Sequence, residues 1–427
     1  MLQQFSVENF RSFKNKAVLS MEASSDRNLS ENIVEINKKE RVLKVATIFG
    51  ANAAGKSNLF FALTAAILMI RFSNQRQIGE PLLQITPYSF DKESVLRPTS
   101  FEFVFMANAK KYVYGFSATI RKICTEYLYV YNSARPTTIF ERDESDQEPY
   151  KFTDHAIQKK LKPLTERNTE NKLFLATASS WNAEETRVPM LWFMHGINTY
   201  DSRYEESALN IVGNLYENDV DSSLRKFTMN ILKEADINIS NYSFDVKNVG
   251  LEDMPTIIFP KQLGTAPILQ GKKYTIEAFH TIEDMHGNSE NYHLDLHNES
   301  QGTRNLFFLA PIIKRAFETG ETMCIDEFDT SLHPMLVVYI VGLFNNSHIN
   351  KMNAQLIISS HTMSLLNLEE MRRDQIYFVE KNQKTGISDI YSLDEFSPRT
   401  RENIRKAYLL GRYGSIPNVG VGGSLWE

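Results

Sequence analysis

The sequence predicts an α/β fold: a mixed, partly parallel core sheet with an antiparallel β layer and an inserted helical subdomain. The segment VLKVATIF, residues 42–49, is nearly all apolar, which indicates a strand buried on both faces, and a Gly-rich loop and an apolar helix follow it at once. After residue 300, strands and helices alternate with short connections, which is typical of parallel sheets. Between residues 98 and 131 the pattern is strand-rich again, as expected for an antiparallel layer.

Residues 1–131 are predicted to form an N-terminal lobe. Apolar residues alternate with polar ones in 2–10 and again in 17–21, which indicates two short strands joined by a turn. The segments SFEFVFMAN, KYVYGFSATI and CTEYLYVYN complete the antiparallel layer, with NAK as a hairpin turn. The apolar run LFFALTAAILMI, residues 59–70, is expected to be a helix and is too short to span a bilayer.

Residues 132–240 are predicted to form the inserted helical subdomain. This part of the chain is polar and favours helices, as in DHAIQKKLKPLTERN and SSLRKFTMNILKEAD. It shows no sustained heptad pattern, which argues against the long coiled-coil arm of chromosome-cohesion proteins.

Residues 241–427 are predicted to form a C-terminal lobe. Strands are expected in NYSFDV, TIIFP and KKYTIEAFHT, followed by the helix TRNLFFLAPIIKRAFETG, in which Gly320 suits a C-terminal cap. The alternating elements that follow are strand TMCIDEF, helix HPMLVVYIVGLFNN, strand AQLIISSH, short helix MSLLNL and strand QIYFVEK.

The net charge and the cysteine content bear on nucleic-acid binding and on the cellular compartment of the protein. The formal net charge of −5 over 427 residues gives no global basic field for binding nucleic acids. Cys124 and Cys324 both lie in apolar, strand-like segments and are expected to be reduced thiols. The N-terminal segment shows neither the basic start nor the apolar core of a secretory signal, so we expect a cytoplasmic protein without a membrane partner.

The segment GANAAGKS matches the phosphate-binding pattern G-x-x-x-x-G-K-[ST] at every fixed position, between a strand and a helix. Glycines let successive backbone N–H groups turn toward a phosphate, and the start of the helix adds a favourable field. The Lys56 ammonium suits the β- and γ-phosphates of ATP, and the Ser57 hydroxyl suits Mg²⁺. The predicted nucleotide-binding residues of this loop are Gly50, Ala51, Asn52, Ala53, Ala54, Gly55, Lys56, Ser57 and Asn58.

Acidic and imidazole side chains follow two of the later predicted strands. Asp326 and Glu327 end an apolar strand, where Asp326 would hold Mg²⁺ and Glu327 would orient or deprotonate the attacking water. His361 ends the next strand, where its ring could bind the γ-phosphate or that water. Glu327, His361 and Lys56 are therefore the predicted catalytic residues.

Ser300 and Gly302 lie one residue apart at the expected start of a helix, in the segment NESQGTR. Such a Ser-x-Gly is often only a helix cap. Placed one helix before the Asp-Glu strand, however, it resembles the signature loop of ABC-type ATPases. That resemblance implies a head-to-tail dimer in which Ser300 and Gly302 meet the γ-phosphate bound by a second protomer.

The motifs together resemble ABC-type ATPases of the RecF, Rad50 and OLD-like branch, especially anti-phage and abortive-infection ATPases such as the RloA and AbiL group and AriA of PARIS. The shared segments are NFRSF, GANAAGKSN, ESQGTR, DEFDTSLHP, SSH and LLGRYGSIPNVG. The resemblance implies an ABC-type P-loop ATPase head with ATP and Mg²⁺ as cofactors and Arg11 near the nucleotide. It also implies a separate effector nuclease or toxin as partner, with DNA or a phage protein as trigger.

Some positions depart from the wider ABC pattern. His333 occupies the place of an Asp in transporter subunits, although LHP is usual in the OLD-like branch. Gln84 is a candidate for the switch-loop glutamine, and Glu380 resembles the first acidic motif of a Toprim nuclease. Only 47 residues follow Glu380, so we do not expect nuclease activity.

Two alternative functions remain open at the level of sequence. A RecF-like DNA-binding ATPase of recombination and repair would use a basic cluster to contact phosphates. The residues of this cluster are Arg399, Arg401, Arg405, Lys406 and Arg412. A transporter motor is disfavoured because the chain carries neither a coupling signal nor a membrane segment.

Overall fold

The computed structural model describes residues 1–37, 40–133, 135–200, 204–249, 271–399 and 402–417. The chain forms two compact units. The first comprises Met1–Tyr200, Ala316–Asp329 and Val337–Glu427, and the second comprises Asp201–Arg315 and Thr330–Leu336. The predicted strand TIIFP lies outside the described residues.

The core sheet of the first unit is mixed, as the sequence predicts. Its six strands lie in the order β11-β15-β16-β5-β17-β18, and all neighbours are parallel except the last pair. The strands are β5 (Val45–Phe49), β11 (Ile197–Tyr200), β15 (Thr322–Ile325), β16 (Gln355–Ser359), β17 (Ile376–Lys381) and β18 (Ser388–Ser392). Every residue of β5, β15 and β16 is buried, which explains their nearly continuous apolar sequences.

The antiparallel layer of the first unit has seven strands in the order β10-β9-β8-β7-β6-β1-β2. They are β1 (Leu2–Glu8), β2 (Ala17–Ser20), β6 (Thr99–Ala107), β7 (Lys110–Ala118), β8 (Ile123–Tyr131), β9 (Pro136–Asp143) and β10 (Tyr150–Lys151). The predicted hairpin turn between β6 and β7 is confirmed: Asn108 and Ala109 both have positive φ, of 46° and 57°. This conformation matches the twist of the two paired strands.

The segment VLKVATIF does not form one strand. Residues 41–43 form β4 (Arg41–Leu43), which pairs with β3 (Ile33–Glu35) in a separate two-stranded sheet, and β5 begins at Val45. Between them lies Lys44, a buried lysine whose Nζ donates hydrogen bonds to Glu31 O and Asn345 O, at 2.6 and 3.0 Å. A buried ammonium needs hydrogen-bond acceptors, and these two carbonyls supply them. The chain therefore leaves one sheet and enters the other at Lys44, the one charged residue of the segment.

Part of the predicted helical insertion belongs to the antiparallel layer instead. Residues 136–151 form β9 and β10, and the helices that follow remain in the first unit. A buried carboxylate links these helices to the sheet: Glu126 on β8 accepts backbone hydrogen bonds from Phe174 and Leu175, at 2.6 and 2.9 Å. Burial raises the pKa of Glu126, although the neighbouring Arg142 guanidinium opposes the shift.

The first unit contains six α-helices among the described residues that begin and end within it. They are α1 (Lys56–Arg71), α2 (Lys92–Leu96), α3 (His155–Thr165), α4 (Phe174–Ser180), α5 (Glu184–Leu191) and α10 (Ile404–Leu409). In the core of the first unit, the rings of Phe105 and Trp192 stack with their centroids 4.0 Å apart. Near the other end of the chain, Tyr408 and Tyr413 stack on Phe378 of β17, which explains the tyrosine of the LLGRYG segment.

The second unit combines helices with a small antiparallel sheet. The helices are α6 (Tyr204–Glu217) and α7 (Ser223–Glu234), and the strands are β12 (Asn241–Val249), β13 (Gly271–Glu283) and β14 (Ser289–Asp295). The long helix α8 (Gln301–Thr319) begins in this unit, and so does α9 (Pro334–Asn345). Within the described ranges, no helix has the length and apolar character needed to cross a membrane.

Candidate nucleotide-binding site

The loop between β5 and α1 fits closely against the two strands beside it. At Gly50, a Cβ atom would overlap the carbonyl oxygen of Val379 on β17. Gly55 has φ of 117°, and a Cβ there would lie 2.5 Å from Ser388 Oγ. Both positions therefore require glycine because of what surrounds them, and the second also because of its backbone conformation.

Lys56 is the first residue of α1 and its side chain turns back over the loop. Its Nζ donates hydrogen bonds to Gly50 O at 2.7 Å and to Ala51 O at 3.2 Å, and the residue is buried. Burial lowers the pKa of the Lys56 ammonium. Three carboxylates lie close enough to oppose this shift: Asp326, Glu327 and Asp329. The loop after β5 and the acidic segment after β15 lie at the same edge of the sheet, because both strands pair in parallel with β16.

The two predicted acidic residues are held by a serine at the end of the neighbouring strand. Ser359 Oγ donates a hydrogen bond to Asp326 Oδ1 and accepts one from the backbone N–H of Glu327, at 2.7 Å. Glu327 itself adopts a left-handed backbone conformation, with φ of 50°. A non-glycine residue at such φ is unusual and is maintained by its surroundings, here by Ser359. The Glu327 side chain is exposed, whereas Asp326 is half-buried.

A third carboxylate organises the turn that carries His361. Asp329 Oδ2 accepts hydrogen bonds from Ser360 Oγ, from the backbone N–H of His361 and from Thr362 Oγ1, at 2.9, 2.7 and 2.9 Å. His361 itself is exposed. The acidic segment after β15 therefore fixes the position of the turn after β16, although His361 contributes only its backbone to this network.

The structure places Arg11 beside the first turn of α1. Its guanidinium donates to Asn58 Oδ1 at 3.4 Å and lies over the Phe61 ring, 4.0 Å from the centroid. Asn58 in turn donates to Ser12 Oγ at 2.8 Å. Burial lowers the pKa of Arg11, as expected for a partly desolvated cation. The predicted residues Arg11 and Asn58 are thus brought together at the start of α1.

In the second unit, Ser300 caps α8, which confirms the prediction that this Ser-x-Gly segment begins a helix with a serine cap. Ser300 Oγ accepts a hydrogen bond from the backbone N–H of Thr303 at 3.2 Å. A Cβ at Gly302 would lie 2.5 Å from Ser331 O, so the helix start packs against the 330–336 segment of the same unit. Asn305 Nδ2 adds a hydrogen bond to Thr330 O, at 3.2 Å. Ser300 is exposed, and its Oγ also forms a hydrogen bond with Thr303 Oγ1 at 2.9 Å.

Other sequence candidates have local structural roles. His333 Nδ1 accepts a 3.3 Å hydrogen bond from the backbone of Met335 and so helps to begin α9. Gln84 accepts a hydrogen bond from Arg76, and within the described ranges no hydrogen bond or ion pair connects it to residues 50–58. Glu380 accepts a hydrogen bond from Tyr391 Oη at 3.3 Å.

The proposed basic cluster is partly neutralised. Arg412 forms an ion pair with Glu402, whose other carboxylate oxygen accepts the backbone N–H of Arg399. Arg405 and Lys406 are exposed on α10, and Arg401 lies outside the described residues.

Sequence reasoning did not assign roles to Ser359, Asp329, Ser12 or Ser388. Ser388 Oγ donates to Ala54 O at 2.6 Å, and its backbone N–H donates to Ser12 O at 2.8 Å, so both support the phosphate loop. The available signal was that Ser359 and Ser388 are small polar residues at the ends of core strands. Their partners, however, lie tens to hundreds of residues away along the chain.

Two residues of the site fit Mg²⁺. The described residues include no group of three or more His, Cys, Asp or Glu side chains suited to a metal. Mg²⁺ does not require one, because it is usually held by one or two protein oxygens together with substrate phosphates and water. Ser57 in the first turn of α1 and the half-buried Asp326 supply oxygens of this kind.

Comparisons with known proteins match most of the chain to one family. Residues 45–367 match the sequence model of AAA_21, described as "AAA domain, putative AbiEii toxin, Type IV TA system". No curated protein matches the sequence. Among solved structures, the chain is similar to the Smc head domain from Pyrococcus furiosus, which was crystallised with an extended coiled coil and bound to the C-terminal domain of ScpA. The identity is 13% and the TM-score 0.39, with 93% of this chain and 97% of that chain covered.

Proposed function

Because the chain belongs to the AAA_21 family of AAA domains, we propose that it is an ABC-type ATPase that binds and hydrolyses ATP as a head-to-tail dimer. One observation carries the proposal. Lys56, which is buried at the start of α1 after β5, lies at the same edge of the sheet as Asp326, Glu327 and Asp329 after β15, because both strands pair in parallel with β16. A cation on a glycine loop beside acidic strand ends is the arrangement needed to hold a polyphosphate and activate water.

Each residue has a separate task in this proposal. The backbone N–H groups of 50–55 and the start of α1 bind the β-phosphate, while Lys56 exchanges its hydrogen bonds to Gly50 and Ala51 for phosphate oxygens. Glu327 accepts a proton from the attacking water. His361, on the turn fixed by Asp329, contacts the γ-phosphate or the water, and Arg11 provides positive charge beside the nucleotide.

Mg²⁺ would be held by Ser57 and Asp326, and when bound it would neutralise charge on the β- and γ-phosphates. The hydrogen bond from Ser359 fixes the Asp326 carboxylate in one orientation. Because Ser359 also accepts the backbone N–H of Glu327, the metal-binding and base-bearing residues are positioned together.

The second unit supplies the other half of the composite site. We assign Ser300 and Gly302 to the γ-phosphate bound by a second copy of the chain. The exposed hydroxyl of Ser300 is a hydrogen-bond donor, and the start of α8 provides a favourable field for an anion. We further propose that this ATPase senses infection and regulates a separate toxic effector. The family description, a putative AbiEii toxin of a Type IV TA system, supports only the link to toxin–antitoxin systems.

A Ser300→Asp substitution tests this assignment without removing the helix cap. Aspartate is as good an N-cap as serine, so α8 should remain intact, but its negative charge would repel a γ-phosphate. We expect ATP binding by the monomer to be preserved. We expect turnover to fall by about 100-fold, as when a hydrogen-bond donor to developing charge is lost. Titration with a fluorescent ATP analogue and steady-state hydrolysis measure these two quantities.

Asp154→Ala controls for the loss of a helix cap alone, because it removes an exposed N-cap from α3. It should cost about 1 kcal/mol of stability and leave turnover unchanged. Gly302 is less suitable, because any side chain there collides with Ser331 O. Loss of monomer ATP binding in Ser300→Asp would place this loop in its own nucleotide site and contradict the proposal.

A further inference from the structure

The residue just before Ser300 is tied to the small sheet of the second unit. His280 lies on β13, and its Nε2 is 2.7 Å from Glu299 Oε1. The other ring nitrogen, Nδ1, is 2.5 Å from the carbonyl oxygen of Asn238. Both side chains are largely removed from solvent, with 16% of His280 and 12% of Glu299 exposed. Glu299 is thus held in place by a neighbouring strand rather than by its own helix.

The two contacts of His280 have a chemical consequence. A carbonyl oxygen and a carboxylate oxygen are both acceptors, so each contact needs a proton between its two atoms. A neutral imidazole carries only one N–H, so the second proton comes either from a doubly protonated ring or from a protonated Glu299. When the ring is doubly protonated, its contact with the Glu299 carboxylate is a charge-assisted hydrogen bond, which is shorter and stronger than a neutral one. The pair therefore fixes both the imidazole ring and the carboxylate.

The rest of the loop is anchored by a different set of contacts. Arg304 on the first turn of α8 donates to His297 O at 2.7 Å and to Gln301 Oε1 at 2.6 Å. On the other side, Gly302 packs against Ser331 O. Among the described residues, the hydrogen bond between His280 and Glu299 thus provides a side-chain link between the sheet and the residue adjoining Ser300.

We propose that His280 and Glu299 form a positioning clamp that presents Ser300 to the nucleotide of the partner protomer. This inference rests on the proposed function, because it assumes that Ser300 acts across a dimer. His280 is a positioning residue: it acts through Glu299 and touches no nucleotide. Its contribution is to keep Ser300 within the narrow range of positions that the composite site requires, where a displacement of about 1 Å can cost as much as 100-fold in rate.

The test compares His280→Ala, Glu299→Ala and the double variant in the full-length protein. Each single change should lower kcat by about tenfold, since the loop stays folded but loses its fixed orientation. ATP binding by the monomer should not change. The double variant should lose no more than the more damaged single variant, because both remove the same interaction. Glu299→Gln retains an acceptor for the ring, so it should recover most of the activity lost in Glu299→Ala.

The matched control lies one residue further along the same strand. Thr281 Oγ1 donates to Asn291 Oδ1 at 2.9 Å, so Thr281→Val removes a hydrogen bond between β13 and β14 without touching Glu299. It should leave kcat unchanged. Equal loss in Thr281→Val, or additive losses in the double variant, would show that general stability of the sheet is responsible and would overturn the clamp.

Comparison with Ser300→Asp distinguishes failure of the His280–Glu299 clamp from failure of the proposed function. If Ser300→Asp abolishes turnover while the His280 and Glu299 variants behave as wild type, the clamp is wrong and the proposed function stands. If Ser300→Asp has no effect, the proposed trans contact fails and the clamp fails with it. Should His280→Ala not fold, Glu299→Ala and its recovery by Glu299→Gln decide the question alone.

Discussion

Glu327→Gln should lower the rate of ATP hydrolysis by about 100- to 10,000-fold, the range expected for removal of a general base. The substitution is nearly isosteric, and the hydrogen bond from the Glu327 backbone to Ser359 does not depend on the side chain. The left-handed turn should therefore persist, and ATP should still bind. Because the nucleotide is no longer consumed, we expect the variant to accumulate as an ATP-bound dimer.

Single-turnover hydrolysis and light scattering in the presence of ATP and Mg²⁺ measure these two effects. Glu380→Gln is the matched control, since it also neutralises an exposed glutamate of the first unit, one that contacts Tyr391. It should hydrolyse ATP at the wild-type rate. Hydrolysis by Glu327→Gln at the wild-type rate would remove Glu327 from the mechanism, and failure to form an ATP-dependent dimer would contradict the proposed assembly.

Lys56→Ala should weaken ATP binding by about 10- to 100-fold, which corresponds to the loss of a hydrogen bond to a charged group. The ammonium is the buried cation facing Asp326, Glu327 and Asp329, so its removal also leaves these carboxylates to repel the phosphates. Turnover at saturating ATP should fall as well, because Lys56 is assigned to the γ-phosphate.

Lys44, another buried lysine, serves as the control for Lys56. Lys44 lies in the same unit, but its Nζ donates to the carbonyls of Glu31 and Asn345. Lys44→Ala leaves those acceptors without a donor, so it should lower the thermal stability and leave the ATP affinity of the folded protein unchanged. Calorimetric ATP titration and thermal unfolding of both variants check this. Equal ATP affinities for Lys56→Ala and wild type would contradict the site.

The elements that could be predicted from sequence have local causes. The burial of β5 on both faces, the apolar helix α1 and the glycine loop between them follow from consecutive residues. The hairpin at Asn108 and Ala109 likewise depends on a short turn, and Ser300 as a cap depends on the backbone three residues further on.

The features that could not be predicted depend on distant partners. The chain changes sheets at Lys44 because Asn345, some 300 residues later, supplies a carbonyl. Residues 136–151 extend the antiparallel layer because β8 offers a free edge to β9. Ser359 and Asp329 acquire their roles only because β15 and β16 are adjacent and parallel, which places Asp326 against Ser359.

The central claim is that Ser300 of one protomer completes the ATP site built around Lys56 of another. The most direct measurement mixes Lys56→Ala and Ser300→Asp protomers that carry different tags. In a head-to-tail dimer, each mixed pair contains one site with both residues intact. Turnover should therefore recover to about a quarter of the wild-type value in an equal mixture, since half of the dimers are mixed and each has one working site of two. The claim would be contradicted if mixed dimers, captured by both tags, hydrolysed ATP no faster than either variant alone.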